Sequence, residues 1–170
     1  TEKDATNPQS VYGRTKLEGE QAIKKSGCLY IIIRTAWLYS GYGHNFVKTI
    51  SRLASERDEL NVVNDQWGTP TYAGDLAEAI ISIMERDDLP ELEGVYHFTN
   101  EGACTWYDFA KEIVAFTGAN CKVNPVTTEE YPSKVKRPAY SILDKTKIKE
   151  TFDLEIRDWR EALKSCMATF

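Results

Sequence analysis

Tyr12 and Lys16 stand four residues apart in Tyr12-Gly13-Arg14-Thr15-Lys16. On a helix that spacing puts both side chains on one face. A lysine ammonium beside a phenol stabilises the phenolate and lowers the phenol's pKa. A phenol tuned in this way can hand a proton to a carbonyl oxygen as hydride arrives at the carbonyl carbon. The spacing alone is a weak signal. The chain holds nine tyrosines and 13 lysines, and Tyr107 and Lys111 repeat the pattern. A half-buried Tyr beside a solvated Lys on an ordinary helix would read identically, so the surroundings must decide.

The elements that would carry these residues alternate between strand and helix, which implies α/β organisation. Residues 1–10 are turn-like, and Ser10 is placed to cap a helix running to about Lys25, with Gly27 as its stop. Leu29-Tyr30-Ile31-Ile32-Ile33 is a continuous apolar run. Its length and lack of alternation fit a strand covered on both faces, as in a parallel sheet. A helix from about Asn45 to Glu56 has the stripe Phe46, Val47, Ile50, Leu53 and Ala54. Leu60–Val63 reads as a strand, and 65–71 as a loop. A third helix starts near Gly74-Asp75, with Leu76, Ala77, Ile80, Ile83 and Met84 as its expected buried face. Gly94–Thr99 reads as a strand. Thr105 and Asp108 are spaced as a capping box for a helix to Thr117, closed by Gly118. Pro125–Pro138 reads as mostly extended. Two short helices follow, led by Asp144 and Asp158, the last burying Trp159, Ala162, Leu163 and Cys166.

The bulk numbers narrow the classes. In 170 residues, 42% are hydrophobic and 28% charged, which suits a globular domain with one sizeable core. A net charge of -5 argues against broad nucleic-acid binding, which needs a basic face. A few local Arg or Lys could still hold an anionic ligand. The longest comparable apolar run is five residues, against the ~18 needed to span a membrane, and Thr1-Glu2-Lys3-Asp4 does not resemble a signal peptide. Cys28, Cys104, Cys121 and Cys166 lack Cys-x-x-Cys spacing, so four reduced cysteines and a cytoplasmic location are expected. His44 and His97 read as structural, and no metal site is expected.

Several pieces, in order, resemble the dTDP-4-dehydrorhamnose reductase family of extended short-chain reductases. They are Tyr12–Glu20, Arg34-Thr35-Ala36-Trp37-Leu38-Tyr39, and Asn45–Ile50. Asp65-Gln66-Trp67-Gly68-Thr69-Pro70-Thr71 with Asp75-Leu76-Ala77, Tyr96–Asn100, and Arg137–Asp144 complete the set. The similarity spans nearly the whole chain. It implies the C-terminal portion of such a reductase: the last Rossmann strands and helices, then a small substrate-binding domain. About 1–60 would be the Rossmann remnant and about 61–170 mainly the substrate-binding part. The Gly-rich dinucleotide-binding half would be absent, together with the Ser or Thr hydroxyl that completes the catalytic triad.

The resemblance also implies a reaction. NADPH, or NADH in some members, delivers hydride to the 4-keto group of dTDP-4-dehydro-L-rhamnose, giving dTDP-L-rhamnose for surface polysaccharides. Tyr12 would be the acid, and Lys16 would bind the nicotinamide ribose and tune Tyr12. Arg34, Thr35 and Ala36 follow the carboxyl end of a strand, where ligands bind in open α/β sheets, and the family uses this stretch beside the nicotinamide. Trp37 would face the sugar, although a buried aromatic is an equal reading. Asn45 opens a helix that could meet a phosphate or simply be capped. Gln66, Gly68 and Thr71 lie on a loop that could approach the nucleotide closely, and Arg137 could pair with the diphosphate.

The parent protein is thus expected to be an oxidoreductase and a homo-oligomer, acting on a dTDP-sugar. The 170 residues alone are expected to be inactive and to hold no cofactor tightly. Two alternatives stay open at this point. One is a non-catalytic regulatory subunit on the same fold, as in methionine adenosyltransferase. The other is a nucleotide-sugar epimerase or dehydratase, which shares Tyr-x-x-x-Lys.

Overall fold

A computed structural model describes residues 1–131 and 137–168. Helix α1 (Val11–Lys25) begins where Ser10 accepts a hydrogen bond from the Gly13 amide, and Lys24 and Lys25 in its last turn suit the negative end of the helix. Strand β1 (Ile31–Arg34) follows and pairs in parallel with β6 (Gly94–His97), Ile31 opposite Gly94 and Arg34 opposite His97. The strand is shorter than the apolar run, and Leu29 lies outside it, exposed. The expected cover on both faces is incomplete. All four residues of β1 are only half-buried, because β6 alone flanks the strand among the described residues and Ile31 and Ile33 pack into one apolar cluster.

Three further pairs of strands complete the sheet structure. Short β2 (Leu38–Tyr39) pairs in parallel with β5 (Thr71–Tyr72). Strand β3 (Glu59–Val63) pairs in parallel with β8 (Lys122–Val126). Pro125 is tolerated there because β8 has a free edge among the described residues. Strand β4 (Trp67–Gly68) pairs antiparallel with β7 (Cys104–Thr105), so the segment expected to be loop is pinned by two short ladders.

Two apolar clusters hold the helices. The first joins α2 (Phe46–Glu56), α4 (Trp106–Thr117) and α6 (Trp159–Met167) over β3, with Val47, Ile50, Phe109, Ile113, Trp159 and Leu163 buried. The capping box is formed: Thr105 Oγ1 accepts from the Asp108 amide and Asp108 Oδ2 accepts from the Thr105 amide. Gly118 ends α4 at φ 67°, in the left-handed region where only glycine is unstrained. The second cluster joins α3 (Ala73–Met84) and α5 (Thr146–Phe152) beneath β6 through Ala79, Ile83, Tyr96, Phe98, Ile148 and Phe152.

Three expectations need correction or limitation. Helix α3 buries Ala79 and Ile83, with Leu76 half-buried, while Ala77, Ile80 and Met84 are exposed. A period of 3.6 puts 76, 79 and 83 on one stripe and 77, 80 and 84 on the next, and the helix docks on the first. Helix α5 starts at Thr146, so Asp144 is not its N-cap residue; its Oδ1 accepts from the Thr146 amide one residue outside the cap. The extended stretch expected to Pro138 falls in part on residues 132–136, outside the described residues. Its first part is the strand β8.

The buried thiols of Cys104 and Cys166 are pushed up to about 12 and about 11 by desolvation. Both therefore stay protonated and chemically quiet at neutral pH. Among the described residues no helix is long and apolar enough to cross a membrane.

Candidate functional site

The predicted residues fall into two groups. The first lies on α1 and at the end of β1. Tyr12 and Lys16 share one face of α1, with the lysine Nζ 5.8 Å from the phenol ring centroid. Tyr12 is 71% exposed, so its hydroxyl is open to a reactant. Arg34 is not free to fork onto a phosphate. Its Nε and Nη2 donate to the two Glu20 carboxylate oxygens at 2.8 and 2.6 Å, clamping β1 to α1. The guanidinium holds the Glu20 carboxyl below its ordinary value, and hydrogen bonding is the larger cause.

The segment after β1 links this group to the second. Thr71 Oγ1 donates to the Ala36 carbonyl at 2.6 Å and accepts from Thr35 Oγ1 at 3.2 Å, while the Thr71 amide donates to the Trp37 carbonyl. These bonds hold Trp37 at φ 49°, a conformation costing a non-glycine residue roughly 1–2 kcal/mol. The strain places the Trp37 indole flat on Trp106, with centroids 3.6 Å apart and planes 13° from parallel. Phe46 tilts against Trp106, with ring centroids 4.6 Å apart.

Trp106 and Phe46 open onto a cavity of about 510 Å³, also lined by Leu60, Gln66, Tyr131 and Arg137. The Arg137 guanidinium carbon lies 5.7 Å from the centroid of the Trp106 ring, within cation–π reach. Gln66 is 6% exposed, and its Nε2 donates to Thr128 Oγ1 at 3.0 Å. Its Oε1 is buried with no partner among the described residues. Arg57 and Glu59 also line it. Among the described residues the cavity thus combines aromatic walls, two guanidinium groups, one carboxylate and one unspent acceptor, a set suited to a flat or ring-shaped ligand carrying an anion.

Gly68 lies under the stack. A Cβ there would meet Trp37 ring carbons at 2.5 Å and Ser141 Oγ at 2.9 Å. The ring cannot retreat, because Trp106 backs it. Gly68→Ala is therefore expected to cost about 1–3 kcal/mol, the usual range for overpacking. Chemical denaturation should show the loss, and a variant as stable as the parent would mean that the stack is loose.

Asn45 caps α2 as one of its sequence readings had it. Its Oδ1 accepts from the Lys48 amide at 3.1 Å, and its Nδ2 donates to the Ser40 carbonyl at 2.7 Å. These bonds occupy its amide and fold the loop that presents Phe46. Residues the sequence reading missed are Trp106, Phe46 as a cavity wall, and Thr128. Trp106 had a usable signal, because the Thr105–Asp108 box fixes it as the first helical residue. His97 is buried with neither ring nitrogen hydrogen-bonded among the described residues, and burial pushes its pKa down. It lies opposite Arg34 across the β1–β6 pair, away from the aromatic cavity.

Known proteins are similar to this chain along nearly all of its length. The model of the RmlD substrate binding domain matches residues 1–170. A dTDP-4-dehydrorhamnose reductase of Aggregatibacter actinomycetemcomitans is 45% identical over 177 residues, covering 98% of this chain and 60% of that protein. The crystal structure of a dTDP-4-dehydrorhamnose reductase ortholog from Clostridium acetobutylicum is 48% identical with a TM-score of 0.90, covering 99% of this chain and 58% of that one. That of a dTDP-4-dehydrorhamnose reductase from Bacillus anthracis, in complex with NADP, is 39% identical with a TM-score of 0.93, covering 99% and 59%. The chain spans about three-fifths of the length of these relatives. By its sequence match, and by a fold that superimposes on these reductases, the chain belongs to the RmlD substrate-binding-domain family.

Proposed function

We propose that this chain forms the sugar-nucleotide side of a dTDP-4-dehydrorhamnose reductase and contributes the proton donor for reduction of the 4-keto group. The observation that carries this reading is the cavity in which Trp106, Phe46, Gln66 and Arg137 meet. It has aromatic surface for a base or sugar ring and a guanidinium for a diphosphate. In this reading the whole enzyme includes a dinucleotide-binding half that precedes these residues, and residues about 1–60 pack against it.

The chemistry assigned to the chain is proton delivery and orientation. Tyr12 gives its phenolic proton to the 4-oxygen, and Lys16 stabilises the phenolate left behind. When bound, a nicotinamide cofactor supplies the hydride. Tyr12 and Lys16 suit the nicotinamide ribose because both are exposed and neither is spent in an ion pair among the described residues. Thr35 and Ala36 line the same approach, next to the strand end. Arg34 serves by holding β1 to α1 through Glu20, since its fork is already engaged. Trp37 and Gly68 set the sugar-facing aromatic surface, Thr71 locks it, and Asn45 fixes the loop before Phe46.

The test is ligand binding by variants of Arg137. In the intact protein, Arg137→Ala is expected to weaken dTDP binding about tenfold, the scale of one hydrogen bond to a charged group. Arg137→Lys should fall between, because it keeps the charge and loses the fork. Binding should weaken as salt rises, since Arg137 is exposed. Equal dTDP affinity in all three proteins, by titration calorimetry, would remove Arg137 from the site. Failure of the parent protein to bind dTDP would remove the reading itself.

A further inference from the structure

Among the described residues Gln66 carries the one buried amide that lines the cavity, and its orientation is decided by its neighbours. Thr128 Oγ1 has a single proton, which it donates to Asp65 Oδ1 at 2.7 Å. Asp65 Oδ2 meanwhile accepts from the Thr128 amide at 2.8 Å. An ionised carboxylate only accepts, and these two bonds from Thr128 hold the Asp65 carboxyl below its ordinary value. With its proton committed, Thr128 Oγ1 can only accept from Gln66, so the Gln66 Nε2, not its Oε1, must face it at 3.0 Å. The Oε1 is then the unspent end of the amide, buried and without a partner among the described residues. A buried orphan acceptor is a standing cost, relieved only by an incoming N–H or O–H.

We infer that Asp65 and Thr128 are positioning residues that fix the Gln66 carbonyl as an obligatory acceptor, so that the cavity selects a pyrimidine presenting N3–H over one presenting a bare N3. This rests on the reading of the cavity as a nucleotide site and adds the rule by which it discriminates. Thymine and uracil carry a proton on N3. Cytosine offers a lone pair there, which would face the Gln66 oxygen without a proton between them. Binding energetics favour such a filter. A site built around a fixed hydrogen-bonding group rejects a ligand lacking the matching group more strongly than an apolar wall rejects a changed shape.

The consequence is specific to orientation. Thr128→Val keeps the side chain's shape and the backbone bond to Asp65, but it removes the hydroxyl that holds Nε2. Gln66 can then flip and offer its amino group to cytosine. The experiment measures dTDP, dUDP and dCDP binding to the intact protein, its Thr128→Val variant and its Thr128→Ser variant, with thermal unfolding of each. The last two ligands differ only at the edge in question. The parent is expected to prefer dUDP to dCDP by about tenfold or more, Thr128→Ser to keep the preference, and Thr128→Val to bring the ratio towards one.

A general loosening of the loop would weaken all three ligands alike and leave the ratio unchanged. An unchanged ratio in Thr128→Val, or a parent that binds dUDP and dCDP equally, would overturn the inference while dTDP binding still supported the nucleotide site. No dTDP binding by the parent would overturn both. If Thr128→Val fails to fold, Gln66→Glu reads the same point. It keeps an acceptor towards the ligand but sets a second carboxylate against the Asp65–Thr128 pair. The preference for dUDP should survive there with lower affinity, and its loss would overturn the inference.

Discussion

In the full-length protein, Tyr12→Phe is expected to lower kcat by about 10²- to 10⁴-fold, the usual contribution of a positioned general acid. The fold should barely register the change. The substitution removes only a hydroxyl, Tyr12 is 71% exposed in this chain, and the Lys16 ammonium lies against its ring. Surface substitutions of this kind usually stay within about 0.5 kcal/mol. Substrate affinity should hold as well, because the cavity walls come from other elements. The expected result is thus a fall in kcat with KM and Tm nearly unchanged, the signature of an interaction made in the transition state. Lys16→Met should also lower kcat, because the phenolate left after proton transfer loses the neighbouring positive charge. Steady-state kinetics across pH decide the matter. A Tyr12→Phe enzyme with parental kcat would take Tyr12 out of the acid role.

The parts of this architecture that could be read from the sequence are those written over short distances. Ser10 before α1, Asn45 before α2, Asp158 before α6 and the Thr105–Asp108 box are local hydrogen-bond patterns, and each forms where its spacing puts it. The Tyr12–Lys16 face follows from one helical turn. What could not be read depends on residues that meet across the chain. Nothing local says that Glu20 will engage both arms of Arg34, or that Trp37 will leave ordinary backbone space to lie on Trp106. Resemblance made Gln66 a candidate site residue, but the direction of its amide is set by Asp65 and Thr128, 63 residues apart in the chain. The periodicity of α3 gave an apolar helix without saying which of two adjacent stripes would dock. The stripe left outside, with Ile80 and Met84, therefore read as core.

The same non-local logic sets the largest stability effect, at Asp75. Its carboxylate is only 11% exposed and takes a two-armed bond from Arg157, Nε to Oδ2 at 2.9 Å and Nη2 to Oδ1 at 2.5 Å. Asn100 adds a third donor to Oδ2 at 2.6 Å, and the Asn100 Oδ1 accepts from the Tyr72 amide at 2.8 Å. One side chain in the first turn of α3 thereby ties that helix to β5, to the turn after β6 and to the segment leading into α6. Removing it strands a guanidinium and an amide at once. Breaking a buried pair on one side costs about 3–5 kcal/mol, and the partly exposed Arg157 sets the expectation for Asp75→Ala at the lower end, about 3 kcal/mol. For a chain of this size that corresponds to a fall in Tm of about 6–12 °C. Asp75→Asn keeps one acceptor and the shape, so it should lose less. Adding Arg157→Met to Asp75→Ala should recover part of the loss, because the uncompensated charge disappears with it. Thermal unfolding of these variants by circular dichroism tests the network as a unit. A fall of less than about 2 °C for Asp75→Ala, or strict additivity in the double variant, would show that these elements hold together by their apolar clusters alone.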